Sequence, residues 1–139
     1  MILSGSEIRE ALVSSINALM TPVKAWSVMP PVETNRYITI ALLSETALND
    51  KLSFMSEGTI SIQICEKFIG RGGDLDWVSS TARTIVTEIT PTRLSTFGIL
   101  AGINIFTMQF AGSGEDIIEG SEGRTAIKSL RLSYKSQNS

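Results

Sequence analysis

The hydrophobic positions of this chain change their period partway along it, and the change marks the segment around which the rest is arranged. Between Thr59 and Phe68, Ile60, Ile62, Ile64 and Phe68 fall on one side and Thr59, Ser61, Gln63 and Lys67 on the other. That alternation predicts a strand with one buried face. Beyond Gly70-Arg71-Gly72-Gly73, apolar residues recur every three or four positions, at Leu75, Val78, Ala82, Ile85, Val86 and Ile89, which forms one stripe of a helix. Asp74 is placed as its N-cap, Asp76 suits the positive end of the helix dipole, and Thr90-Pro91 supplies the stop. A strand thus feeds a helix through a tight turn, and a helix with one apolar stripe needs a sheet to lie on.

The remaining periodicities supply that sheet and a second helix. Ser4-Gly5-Ser6-Glu7 has the form of a capping box ahead of the stripe Ile8, Leu12, Ile16, Leu19 and Met20, and Thr21-Pro22 ends it. Val23 to Met29 reads as a short strand closed by Pro30-Pro31. Arg36 to Leu43 is nearly continuous in apolar residues, which predicts a central strand covered on both faces. Ser44 to Ser56 reads as a polar link. Ile103 to Ala111 and Thr125 to Tyr134 predict two more strands. Between them Gly112 to Gly123, with four glycines and four carboxylates, reads as a long mobile loop. Residues 135–139 form a polar tail expected to fray. The order is helix, strand, strand, strand, helix, strand, strand. It predicts a single α+β domain over residues 1–139, with a mostly antiparallel sheet and both helices on one face. Ile62, Ile64, Val78, Ala82 and Ile85 are expected to form the contact between the sheet and the second helix.

Charge changes the picture by its scarcity. Charged residues make up 19% of the 139 residues and the net charge is −2, with no histidine at all. On the second helix, Ser79, Ser80, Thr81, Thr84 and Thr87 stand where a monomer's surface more often shows lysine and glutamate. Interface centres are depleted in charge, so Ser80, Thr84 and Thr87 are read as a face covered by other subunits. A mildly polar monomer surface is the plainer alternative. No run of about 18 apolar residues exists, so no membrane partner is expected. The first residues lack the basic start and long apolar centre of a signal peptide, and the chain is expected to stay in the compartment where it is made.

Little in the sequence supports chemistry. Gly70-Arg71-Gly72-Gly73 lacks the spacing of a phosphate-binding loop and reads as a turn. Glu115, Asp116, Glu119 and Glu122 could offer oxygen ligands, but their spacing fits no calcium loop. The single cysteine, Cys65, lies within a strand and reads as a core or interface thiol. Without histidine or a placed nucleophile, the common acid–base and covalent pairings are missing. No enzyme activity, catalytic residue, metal or cofactor is expected. The basic residues are spread along the chain, so no stripe predicts tight nucleic-acid binding. Trp26 and Trp77 sit among apolar neighbours and read as packing residues.

The bend Pro30-Pro31-Val32, the strand Tyr37-Ile38-Thr39-Ile40, and Gly58-Thr59-Ile60-Ser61-Ile62-Gln63-Ile64 running through a glycine turn into Leu75-Asp76-Trp77-Val78 carry a resemblance. With the closing pair of strands, this pattern over roughly residues 6 to 134 resembles the tail terminator and tail-completion proteins of tailed bacteriophages. The resemblance implies a structural ring, usually a hexamer, at the head-proximal end of the tail tube, where it stops tube polymerisation and joins tail to head. Its partners would be other copies of itself, the tail tube protein and the head-completion or connector proteins. DNA would pass through without sequence-specific binding. The location would be the virion tail or neck, after assembly in the host cytoplasm. The family offers no catalytic residues, and the segment 112–123 matches none of its motifs. Within that segment Ile117 and Ile118 read as an apolar anchor on a neighbouring subunit, and Glu115, Asp116, Glu119 and Glu122 as a channel-facing acidic patch. A neck or connector ring protein of a short-tailed phage, or a small ligand-binding or accessory α+β domain, are the alternatives.

Overall fold

Two helices and five strands follow in the expected order: α1 (Gly5–Leu19), β1 (Ala25–Trp26), β2 (Arg36–Asp50), β3 (Ser53–Ile69), α2 (Asp76–Glu88), β4 (Ile103–Glu119) and β5 (Gly123–Asn138). They come from a computed structural model that describes residues 5–20, 23–27, 35–50, 53–69, 74–90, 103–120 and 123–138. The strands form one sheet in the order β1-β2-β3-β5-β4. β1 runs parallel to β2, and every other neighbour is antiparallel. The chain is therefore an α+β fold with a mostly antiparallel sheet.

Register decides which side chains meet. Ile38, Ile40 and Leu42 of β2 lie opposite Ile64, Ile62 and Ile60 of β3, and Ile60 and Ile62 lie opposite Leu132 and Leu130 of β5. Because side chains alternate across a strand, these residues share one face of the sheet. Both helices pack there. Ile8, Leu12 and Ile16 of α1 and Val78, Ala82 and Ile85 of α2 join them in a single buried cluster, which includes all five residues expected at the contact between sheet and helix. α1 lies against β1 and β2, and α2 against β3 and β5. β4, at the edge, lies beyond the strip that α2 covers. The opposite face carries Thr39, Thr59, Ser61 and Gln63, as the alternation requires.

Several local expectations are corrected. β2 is covered on both faces only at its start, where Tyr37, Ile38 and Ile40 are buried; Ala41 and Leu43 are exposed, and a register shift falls between Leu42 and Ser44. Most of the polar link 44–56 is strand, since β2 and β3 stay paired out to Asp50 and Ser53. At its end Ser56 is buried against Ser136 of β5, with their hydroxyls 3.0 Å apart. The tail is strand through Asn138. Asp74 does not cap α2 in the expected position. Leu75 is the N-cap residue, and the Asp74 carboxylate accepts the Asp76 N–H at 3.0 Å. At α1 the Gly5 N–H donates across to Glu45 at 2.8 Å. Ser4 and the glycine run 70–73 lie outside the described residues.

Candidate functional site

The segment expected to be a loop is largely a two-stranded ribbon. β4 continues through Glu119, and Gly112 to Glu119 pair with Arg131 to Arg124 of β5. A register shift between Phe110 and Gly112 marks its base. At its end Gly123 lies so close to the Phe68 carbonyl of β3 that any β-carbon there would collide with it. No side chain can replace that hydrogen, so the glycine serves close strand approach rather than pliancy.

The ribbon separates residues that the sequence reads as a pair. Ile117 lies opposite Ala126 on the helix side of the sheet, whereas Ile118 lies opposite Thr125 on the outer side. Both are exposed, at 44% and 51%. Glu115 and Glu119 share the helix side with Ile117, and Asp116 shares the outer side with Ile118. Two of these acids hold bases on β5: Lys128 Nζ lies 2.9 Å from Glu115, and Arg124 lies 2.9 Å from Glu119. The ribbon is therefore far less negative than a run of free carboxylates. Ser79 Oγ also donates to Glu115, at 3.2 Å, tying the start of α2 to the ribbon. The Lys128 hydrogen bond and charge, with the Ser79 hydroxyl behind them, hold the Glu115 pKa below the ordinary glutamate value. Asp116 accepts the Ile117 N–H at 2.8 Å. Glu122 lies outside the described residues.

Of the five α2 hydroxyl residues read as surface, Ser80, Thr84 and Thr87 are exposed, Ser79 is half-buried and Thr81 is buried. Thr84 Oγ1 donates to the Ser80 carbonyl at 3.1 Å and Thr87 Oγ1 to the Arg83 carbonyl at 2.9 Å. These hydroxyls are satisfied inside the helix, so the stripe is less hungry for water than its composition reads. Beside it runs a groove of about 580 Å³ between α2 and β4, floored by Ala82, Phe110 and Leu130 and rimmed by Arg83, Val86 and Lys128. Ser113, small and opposite Leu130 on the helix side, lines it on β4. Sequence reading missed it, since it arises from strand order. It missed Ile69 as well, 92% exposed at the end of β3; an isoleucine directly before a glycine run was a usable signal.

Several other titratable groups are buried or paired. Cys65 is buried, and burial pushes its thiol pKa up against the smaller opposing effects of Tyr37 and Lys67. Burial pushes Tyr37 up to about 12. Glu66, nearly buried, is paired with Arg36, whose guanidinium stacks 4.9 Å from the Trp77 ring. That trio clamps the start of α2 to the sheet, and Trp77 packs against the core as expected. No helix among the described residues is long and apolar enough to cross a membrane.

No protein-family model matches the chain, and no curated protein matches it. Among solved structures it is similar to a chain of the virion of a native gene transfer agent particle, with a TM-score of 0.47 and 14% identity, over 96% of this chain and 95% of that one.

Proposed function

We propose that this chain is a structural ring subunit of a phage virion, one that caps the tail tube and joins tail to head as a tail terminator or tail-completion protein. The observation that carries this reading is the placement of exposed apolar surface. Of the five large apolar side chains exposed among the described residues, four (Ile69, Val86, Ile117 and Ile118) gather on the ribbon end and the neighbouring α2 groove. They border a helix face on which the Thr84 and Thr87 hydroxyls are satisfied within the helix. Exposed apolar groups concentrated at one end of a charge-poor molecule mark a surface for other proteins.

The partners in this reading are other copies of the chain in a ring, a hexamer by the resemblance, with the tail tube below and the head-completion or connector proteins above. The ribbon's helix-side carboxylates, Glu115 and Glu119, turn toward the channel. Glu115 and Glu119 suit that place because each holds a base, Lys128 or Arg124, that would otherwise reach for phosphate. DNA then moves past without contacts that must be broken. The test is a phage that cannot make this chain. Heads without tails and tubes of uncontrolled length are expected; tails of normal length joined to heads would overturn the proposal.

A further inference from the structure

The groove and two of the exposed isoleucines, Ile69 and Ile118, lie on opposite faces of the sheet, and this decides how they can be used. The groove opens on the helix side, where Phe110 and Leu130 form its floor and Val86, 43% exposed, its wall. Ile118 and Ile69 stand on the outer side at the ribbon end, with Gly123 opposite Ile69 adding no bulk between them. Each surface has a charge beside it. Arg83 on the groove rim makes no ion pair among the described residues, and neither does Asp116, two residues from Ile118 on the same outer face.

From these facts we infer that the α2–β4 groove is the receptor for the ribbon end of a second copy of this chain, with Ile118 entering between Val86 and Phe110 and Asp116 meeting Arg83. The chain itself supplies the chemistry the groove asks for: an exposed aliphatic side chain flanked by one unpaired acid. The free edges argue for the same mode against strand pairing between copies. Register shifts interrupt β2 between Leu42 and Ser44, and β4 between Ile105 and Thr107 and between Phe110 and Gly112. Such irregularities blunt an edge against edge-to-edge addition. Because knob and groove are unlike patches on opposite faces, each docked copy leaves one knob and one groove free. A contact of that kind repeats head to tail and closes into a ring when its rotation allows. This inference deepens the ring reading and names its contact, yet it is testable without any virion.

The experiment is sedimentation velocity on the purified chain and two surface variants, Val86→Glu in the groove and Ile118→Asp on the ribbon. The unaltered chain is expected to associate with rising concentration. Each variant alone should lose at least ten-fold in association constant, with its melting temperature held. A one-to-one mixture of the two should form a dimer and stop there, since the only intact knob meets the only intact groove. Arg83→Glu should weaken association, and adding Asp116→Arg to the same chain should restore it. Association of either single variant at parental strength overturns the placement. A chain that stays monomeric at its highest soluble concentration, alone and in the mixture, overturns the second copy as occupant and leaves the groove to a different virion protein. Loss of this contact with tails still uncapped in the deletion phage would separate failure of the docking from failure of the virion role.

Discussion

Ile64 has no exposed surface and lies in register between Ile38 of β2 and Lys128 of β5, on the face that receives α2. Truncating it removes methylene groups and leaves a cavity that the long strands cannot close, so Ile64→Ala should cost about 2–5 kcal/mol by chemical denaturation. A change below about 0.5 kcal/mol would contradict its place in the core. Glu115 offers a test in pH. Its carboxyl is held below the ordinary value, chiefly by Lys128, so its contribution to stability is present above the unfolded pKa and is lost as pH falls through the folded one. An NMR titration should find the Glu115 midpoint below those of unpaired glutamates, and Lys128→Gln should raise it; an unmoved midpoint would rule out the pairing. Cys65 should resist thiol reagents until the chain unfolds, because its buried thiol is both covered and raised in pKa. These residues were legible in the sequence, since strict alternation around Ile60, Ile62 and Ile64 leaves one choice of buried face. The partners of Glu115 were not, because register alone brings Lys128 opposite it.

Among the elements, the strands hold the lesson. They run 15 to 17 residues apart from the two-residue β1, about 50 Å at roughly 3.3 Å per residue. The helices, of 15 and 13 residues, span only about 20 Å at 1.5 Å per residue. Alternating apolar residues are needed only where a helix covers the sheet, so toward the uncovered ends of the strands the alternation lapses. That is why Gly112 to Glu119 reads as loop: the periodic signal reports burial, and there burial stops before the strand does. Hydrogen exchange should separate ribbon from loop. The amides of Arg124 to Arg131, with β3 on one side and β4 on the other, should exchange slowly, and exchange at the rate of free peptide would contradict the ribbon. Gly58 is a second check, because a β-carbon there would come within 2.5 Å of the Tyr134 hydroxyl and 2.6 Å of the Ser44 carbonyl. The carbonyl belongs to the sheet and cannot move aside, so Gly58→Ala should lower the melting temperature despite its small size.

At the scale of the whole molecule, the fold follows from pattern and the function from surface. Element order and fold class were readable because each helix declares its stripe and each strand its covered middle. The groove was not, because it depends on β5 inserting between β3 and β4, and the split of Ile117 from Ile118 was not, because a segment that reads as loop is strand. Replacing Ile117 and Ile118 with serine should impair assembly while changing stability by no more than about 0.5 kcal/mol, the range for surface substitutions. Calorimetry beside sedimentation would show both, and a large drop in stability would mean these residues serve the fold. The most direct measurement is a reconstruction by electron microscopy of the head–tail junction of the particle that carries this chain. A closed ring of copies around the channel is predicted, with the α2–β4 groove of each filled by the ribbon end of the next. A junction without this chain, or with copies that form no ring, would contradict it.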